Sequence, residues 1–150
     1  MGKKFFKAKK LTIAQQAYSL RSLYPEALCN ARREHLDWTG VLIPTPLSSS
    51  YVVNIVYMKG WHPKTFVREP KLDTISGKRL PHVYNHDEQR LCLYFSPDSK
   101  EWNSSMSIAR TIVPWASEWL YFYELWLATG EWLGGGIHIE SPKEEPEQDH

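Results

Sequence analysis

Between residues 11 and 24 the apolar positions Leu11, Ile13, Ala14, Ala17, Tyr18, Leu20, Leu23 and Tyr24 recur mostly at intervals of three and four, the period of one face of an α-helix. Thr12 has the side chain of an N-cap, and Pro25 cannot continue the helix. The period then shortens. Residues 38–44 and 51–58 are rich in β-branched and aromatic side chains and flank the run Pro44-Thr45-Pro46-Leu47-Ser48-Ser49-Ser50, the pattern of two strands joined by a hairpin loop. Lys59-Gly60 and Pro63 mark the next turn, before a third strand at residues 64–68, and residues 27–36 are read as a leading strand. After a turn-rich stretch at 70–79, residues 91–95 form a short apolar extended run. Trp115, Trp119, Phe122 and Trp126 follow one another by four, three and four, with Leu120, Tyr123 and Leu127 alongside. This predicts a core helix with Pro114 at its first position, where a missing N–H costs nothing, and Gly130 at its end. The expectation is an α+β domain over residues 11–138: an N-terminal helix, a four-stranded antiparallel meander, an irregular loop and a C-terminal core helix, the helices covering the sheet.

Charge adds two flanking segments. Lys3, Lys4, Lys7, Lys9 and Lys10 make residues 1–10 basic, and Glu140, Glu144, Glu145, Glu147 and Asp149 make residues 139–150 an acidic tail, expected to be flexible. With no sustained basic face between them, direct nucleic-acid binding is not expected. A chain of 150 residues with 42% hydrophobic and 23% charged residues is ordinary for one soluble domain. Its seven Trp, eight Tyr and five Phe are not ordinary, and they allow a small core to bury much area. No run approaches the roughly 18 apolar residues of a membrane span, and no signal peptide follows Met1. The two cysteines, Cys29 and Cys92, are too few for a disulfide framework or a cysteine-based zinc site. A cytoplasmic setting without metal or cofactor is the expectation.

Cys92 is the residue with chemistry to offer. It stands between Leu91 and Leu93, so if both leucines face the core, alternation points the thiol outward. A free cysteine titrates near pH 8.5, so about a tenth or less is thiolate at neutral pH without help. The competing reading is a small buried apolar residue, which is retained for Cys29. His82, ten residues earlier, could donate a hydrogen bond to the oxyanion of acyl transfer or could hold the shape of the loop. Asp87, Glu88, Asp98 and Glu101 flank the cysteine; Asp98 is the candidate for orienting an incoming amine, against a plain solvated loop face. His82 and His86 share the separation of a helical zinc pair, but in a loop and with no glutamate between them. There is no Gly-x-Ser-x-Gly elbow and no phosphate loop.

The string Pro81-His82-Val83-Tyr84, Leu91-Cys92-Leu93 and Trp102 resembles the centre of the ubiquitin-conjugating enzymes, where a His-Pro-Asn turn precedes a cysteine in an Ile/Leu-Cys-Leu run. With Pro114-Trp115, Trp119-Leu120, Tyr123-Glu124, Trp126-Leu127 and Thr129-Gly130, the chain looks like the small conjugating-enzyme homologues found beside cGAS-like nucleotidyltransferases in bacterial CBASS anti-phage operons. The resemblance covers residues 11–130 and implies the ubiquitin-conjugating fold, with Cys92 as the thioester-forming nucleophile. His82 falls on the family asparagine, two residues further from the cysteine than in the eukaryotic pattern. It implies a protein partner, the cGAS-like synthase, whose C-terminus would pass through Cys92 to an amine. Two other functions remain open at this stage: a non-catalytic module that docks on the synthase, and a thiol hydrolase of such conjugates.

Overall fold

The computed structural model describes residues 9–75, 78–93 and 101–134, and within them the chain forms two helices and one antiparallel sheet of six strands. Helix α1 spans Ile13–Leu23. Strands β1 to β4 span Leu28–Ala31, His35–Leu42, Tyr51–Met58 and Lys64–Glu69. The short β5 and β6 span Val83–Asn85 and Arg90–Leu91, and helix α2 spans Ile112–Thr129. The α+β class is as the pattern predicts, but the strand count is not. The meander continues past its fourth strand, so that the order is β1-β2-β3-β4-β6-β5. Strands of three and two residues are too short to show alternation, which is why periodicity misses them. Of the run expected at 91–95, Leu91 alone pairs, Cys92 and Leu93 leave the sheet, and residues 94 and 95 lie outside the described residues. So do residues 1–8 and 135–150, which hold most of the basic segment and the whole acidic tail.

Alternation along β2 and β3 sets the layers. Leu36, Trp38 and Leu42 pair across with Tyr57, Ile55 and Tyr51, and all six are buried. Both helices lie on this face, since the Tyr24 ring meets Trp38 edge-on at 5.6 Å and the Tyr51 ring meets Tyr123 at 6.4 Å. The predicted stripe of α1 needs correction. Tyr18 is 73% exposed, and the buried row is Ile13, Gln16, Ala17 and Leu20, the spacing of one helical face with a polar residue inside it. Thr12 caps the helix as expected, and Gln15 completes a capping box.

Gln16 is fully buried because the segment before α2 has no regular structure to satisfy its own backbone. The Gln16 side chain donates to the Met106 carbonyl and accepts from the Ile108 N–H, each at 2.9 Å. Replacing it by Leu strands both backbone groups, at a cost of about 2–3 kcal/mol. Urea denaturation of Gln16→Leu measures this, and an unchanged midpoint would refute the pinning role.

Helix α2 begins two residues before Pro114, at Ile112. Pro114 still lies in the first turn, where backbone N–H groups have no intrahelical acceptor, so the proline is tolerated deeper than expected. Trp119 and Trp126 are buried as the period predicts, but Trp115 is only half-buried on the flank of the stripe. Gly130 ends the helix in the left-handed region at φ 78°. Glu124, on the same helix, ties it to the hairpin loop. It accepts from the Tyr51 hydroxyl at 2.8 Å, from the Ser48 hydroxyl and from the Ser49 N–H. Burial, followed by these contacts with Glu124, pushes the Tyr51 phenol well above its ordinary range.

Candidate active site

The chain reaches Cys92 through a hairpin. Leu80 anchors its approach in the core, β5 pairs with β6 through Val83 and Leu91, and residues 86–89 make the turn. Gln89 closes that turn in the left-handed region at φ 54°. Its buried side chain holds the Leu72 backbone, accepting from the N–H at 2.6 Å and donating to the carbonyl at 3.5 Å. Asn85 steadies the other side by accepting from the Glu88 N–H at 3.0 Å.

At the open end of this hairpin the Cys92 N–H donates to the His82 carbonyl at 2.9 Å. The ten-residue interval between them is therefore the length of a two-strand hairpin closed by one main-chain bond. The same carbonyl accepts from Trp119 Nε1 at 3.1 Å, which fastens the loop to α2. His82 itself sits at φ 54°, a conformation that histidine and asparagine adopt more readily than most residues with a β-carbon. That preference is a physical reason for histidine to stand where the resembled family has asparagine. The imidazole packs against Trp132, centroid to centroid 4.8 Å.

Leu91 is 2% exposed and Leu93 packs on the core, with Cys92 half-buried between them. Cys29 is placed differently: it lies on β1 opposite Trp38. Burial pushes its thiol up, an effect that Arg21 opposes and Asp37 reinforces. Asp87 and Glu88 lie in the hairpin turn, Glu101 is exposed, and Asp98 lies outside the described residues. Beside the turn a polar cleft of about 380 Å³ opens between residues 71–74 and His86, Asp87 and Gln89. Among the described residues no three His, Cys, Asp or Glu side chains gather as a metal site would require, and no helix is long and apolar enough to cross a membrane.

Trp102 belongs to the core. It is 2% exposed, donates to the Thr111 hydroxyl at 3.0 Å and meets Tyr57 edge-on at 5.5 Å. Sequence reasoning missed Gln89, a buried polar residue inside a loop, and Trp132. The latter carried a usable signal, because an apolar residue shortly after a helix-ending glycine often folds back on the helix.

The sequence model of one protein family, described as Type II CBASS E2 protein, matches residues 16–139. No curated protein matches the chain.

Proposed function

The chain belongs to the Type II CBASS E2 protein family, and from that premise we propose that it is a conjugating enzyme of the ubiquitin-conjugating fold with Cys92 as its nucleophile. The observation that carries the reading is the main-chain bond from Cys92 to His82. It fixes a half-exposed cysteine at the mouth of a hairpin held to the core helix.

In the proposed reaction the Cys92 thiolate attacks the activated C-terminal carbonyl of a partner protein. A tetrahedral intermediate forms, the activating group leaves, and the C-terminus is held as a thioester. A primary amine that has lost its proton then attacks the same carbonyl. The nitrogen gives up one further proton to solvent, the C–S bond breaks, the thiolate of Cys92 is restored and an amide remains. The acyl group must arrive already activated, since the free carboxylate is too stable to form a thioester by itself. The partner is a cGAS-like cyclic-nucleotide synthase of the same defence operon. His82 serves here as a brace: its carbonyl is occupied by two donors and its ring by Trp132. Asp98 is kept as the group that orients the amine.

A second reading, a docking module without chemistry, draws on Trp61, which is 67% exposed in the β3–β4 turn. One experiment separates the two. Intact-mass analysis of the protein isolated with its operon's synthase should reveal an adduct cleaved by excess thiol. It should disappear in Cys92→Ala and persist in Cys29→Ala. Complexes that are identical for wild type and Cys92→Ala, with no thiol-sensitive mass, would favour the docking module.

A further inference from the structure

We infer that Trp132 is a positioning residue for the Cys92 loop, acting through His82; the inference rests on the reading of Cys92 as the nucleophile. Beyond α2, Gly130 turns the chain back, donating its N–H to the Trp126 carbonyl at 2.8 Å and accepting from Lys78 Nζ at 3.0 Å. Thr129 steadies the turn by accepting from the Glu131 N–H at 3.1 Å. This return brings the Trp132 indole against three rings at once: His82 at 4.8 Å, Trp119 at 5.2 Å and Phe122 at 6.3 Å. Gly134 is part of the same device. A β-carbon there would lie 2.5 Å from Trp132 Nε1 and 3.2 Å from the Phe122 ring, so the chain passes the indole only because this residue has no side chain.

The consequence runs through the backbone. A residue with a β-carbon stays in the left-handed region only where its surroundings hold it. Trp119 Nε1 and the Cys92 N–H hold the His82 carbonyl, and Trp132 holds its ring. With the indole gone, His82 can relax toward ordinary backbone angles, which turns its carbonyl away from Cys92. The cysteine then loses a bond that sets its main chain, and acyl transfer is sensitive to displacements of about 1 Å at the attacking atom.

The test uses the whole chain as Trp132→Ala, Trp132→Phe and Gly134→Ala. Two quantities are measured: amide hydrogen exchange at Cys92, and single-turnover discharge after charging Cys92 with a small peptide thioester. Trp132→Ala should speed Cys92 amide exchange by about tenfold or more while β2 and β3 amides keep their protection, the mark of local opening. Discharge should slow by about tenfold, since geometry at the attacking atom is lost. Trp132→Phe should restore both, and Gly134→Ala should reproduce the loss with the indole still present. Unchanged Cys92 exchange in both Trp132→Ala and Gly134→Ala overturns the inference, as does exchange that rises equally in β2 and β3. A wild-type chain that never takes up the thioester would remove Cys92 as nucleophile, whereas the exchange measurement would still decide whether Trp132 holds the loop.

Discussion

Trp119→Ala is expected to lower stability by about 3–5 kcal/mol, against a total of about 5–15 kcal/mol for a typical domain. The side chain is 5% exposed. Its ring stacks on Tyr123 at 5.8 Å with 12° between planes, it backs Trp132, and its Nε1 donates to His82. Truncation therefore opens a cavity among α2, Trp132 and the His82 segment and also unfastens the Cys92 loop. Trp119→Phe separates these effects. It keeps a six-membered ring buried and removes the donor with part of the indole, so its smaller loss includes about 1 kcal/mol for one hydrogen bond. Urea denaturation of the two variants is the measurement. A wild-type midpoint for Trp119→Ala would mean that α2 does not pack as described.

The difference between what the sequence disclosed and what it hid is one of range. Thr12, Pro25, Gly130 and the alternation of β2 and β3 act within a few residues, so local rules read them correctly. The buried row of α1 escapes such rules because Gln16 satisfies Met106 and Ile108, which lie 90 and 92 residues further along the chain, and no local pattern encodes that partner. Strands β5 and β6 exist only as a continuation of β4, with Phe66 paired to Arg90, so their pairing is decided by the sheet rather than by their own residues. Cys92 and His82 were legible as a pair from the motif that carries the family resemblance. Their relation was not: the bond between them uses the His82 carbonyl, which is the same atom in any residue, while the histidine side chain suits a left-handed backbone better than most and packs on Trp132. A motif records side chains, whereas much of this loop is held by main-chain groups.

Cys92→Ala is expected to abolish the thiol-sensitive adduct, and Cys92→Ser to convert the site from a transfer point into a trap. The Cys92–His82 bond is a main-chain bond, so both substitutions leave it in place, and the half-buried position keeps the stability change within about 1 kcal/mol. What changes is the proposed nucleophile. A free thiol is about a tenth ionised or less near neutral pH, whereas a serine hydroxyl is not ionised to any useful extent. Attack on the activated carbonyl should therefore slow sharply. Any acyl group that does reach the substituted hydroxyl is held as an oxygen ester, which excess thiol does not reverse and which amines attack far more slowly than a thioester. Single-turnover transfer to an amine from that ester should be at least about a hundredfold slower than from Cys92, a barrier increase of about 2.7 kcal/mol. Intact masses with and without excess thiol, followed by mild hydroxide, distinguish the two linkages, and Cys29→Ser should match wild type throughout. Transfer at the wild-type rate by Cys92→Ala, in a protein with a normal melting curve, would remove Cys92 from the reaction.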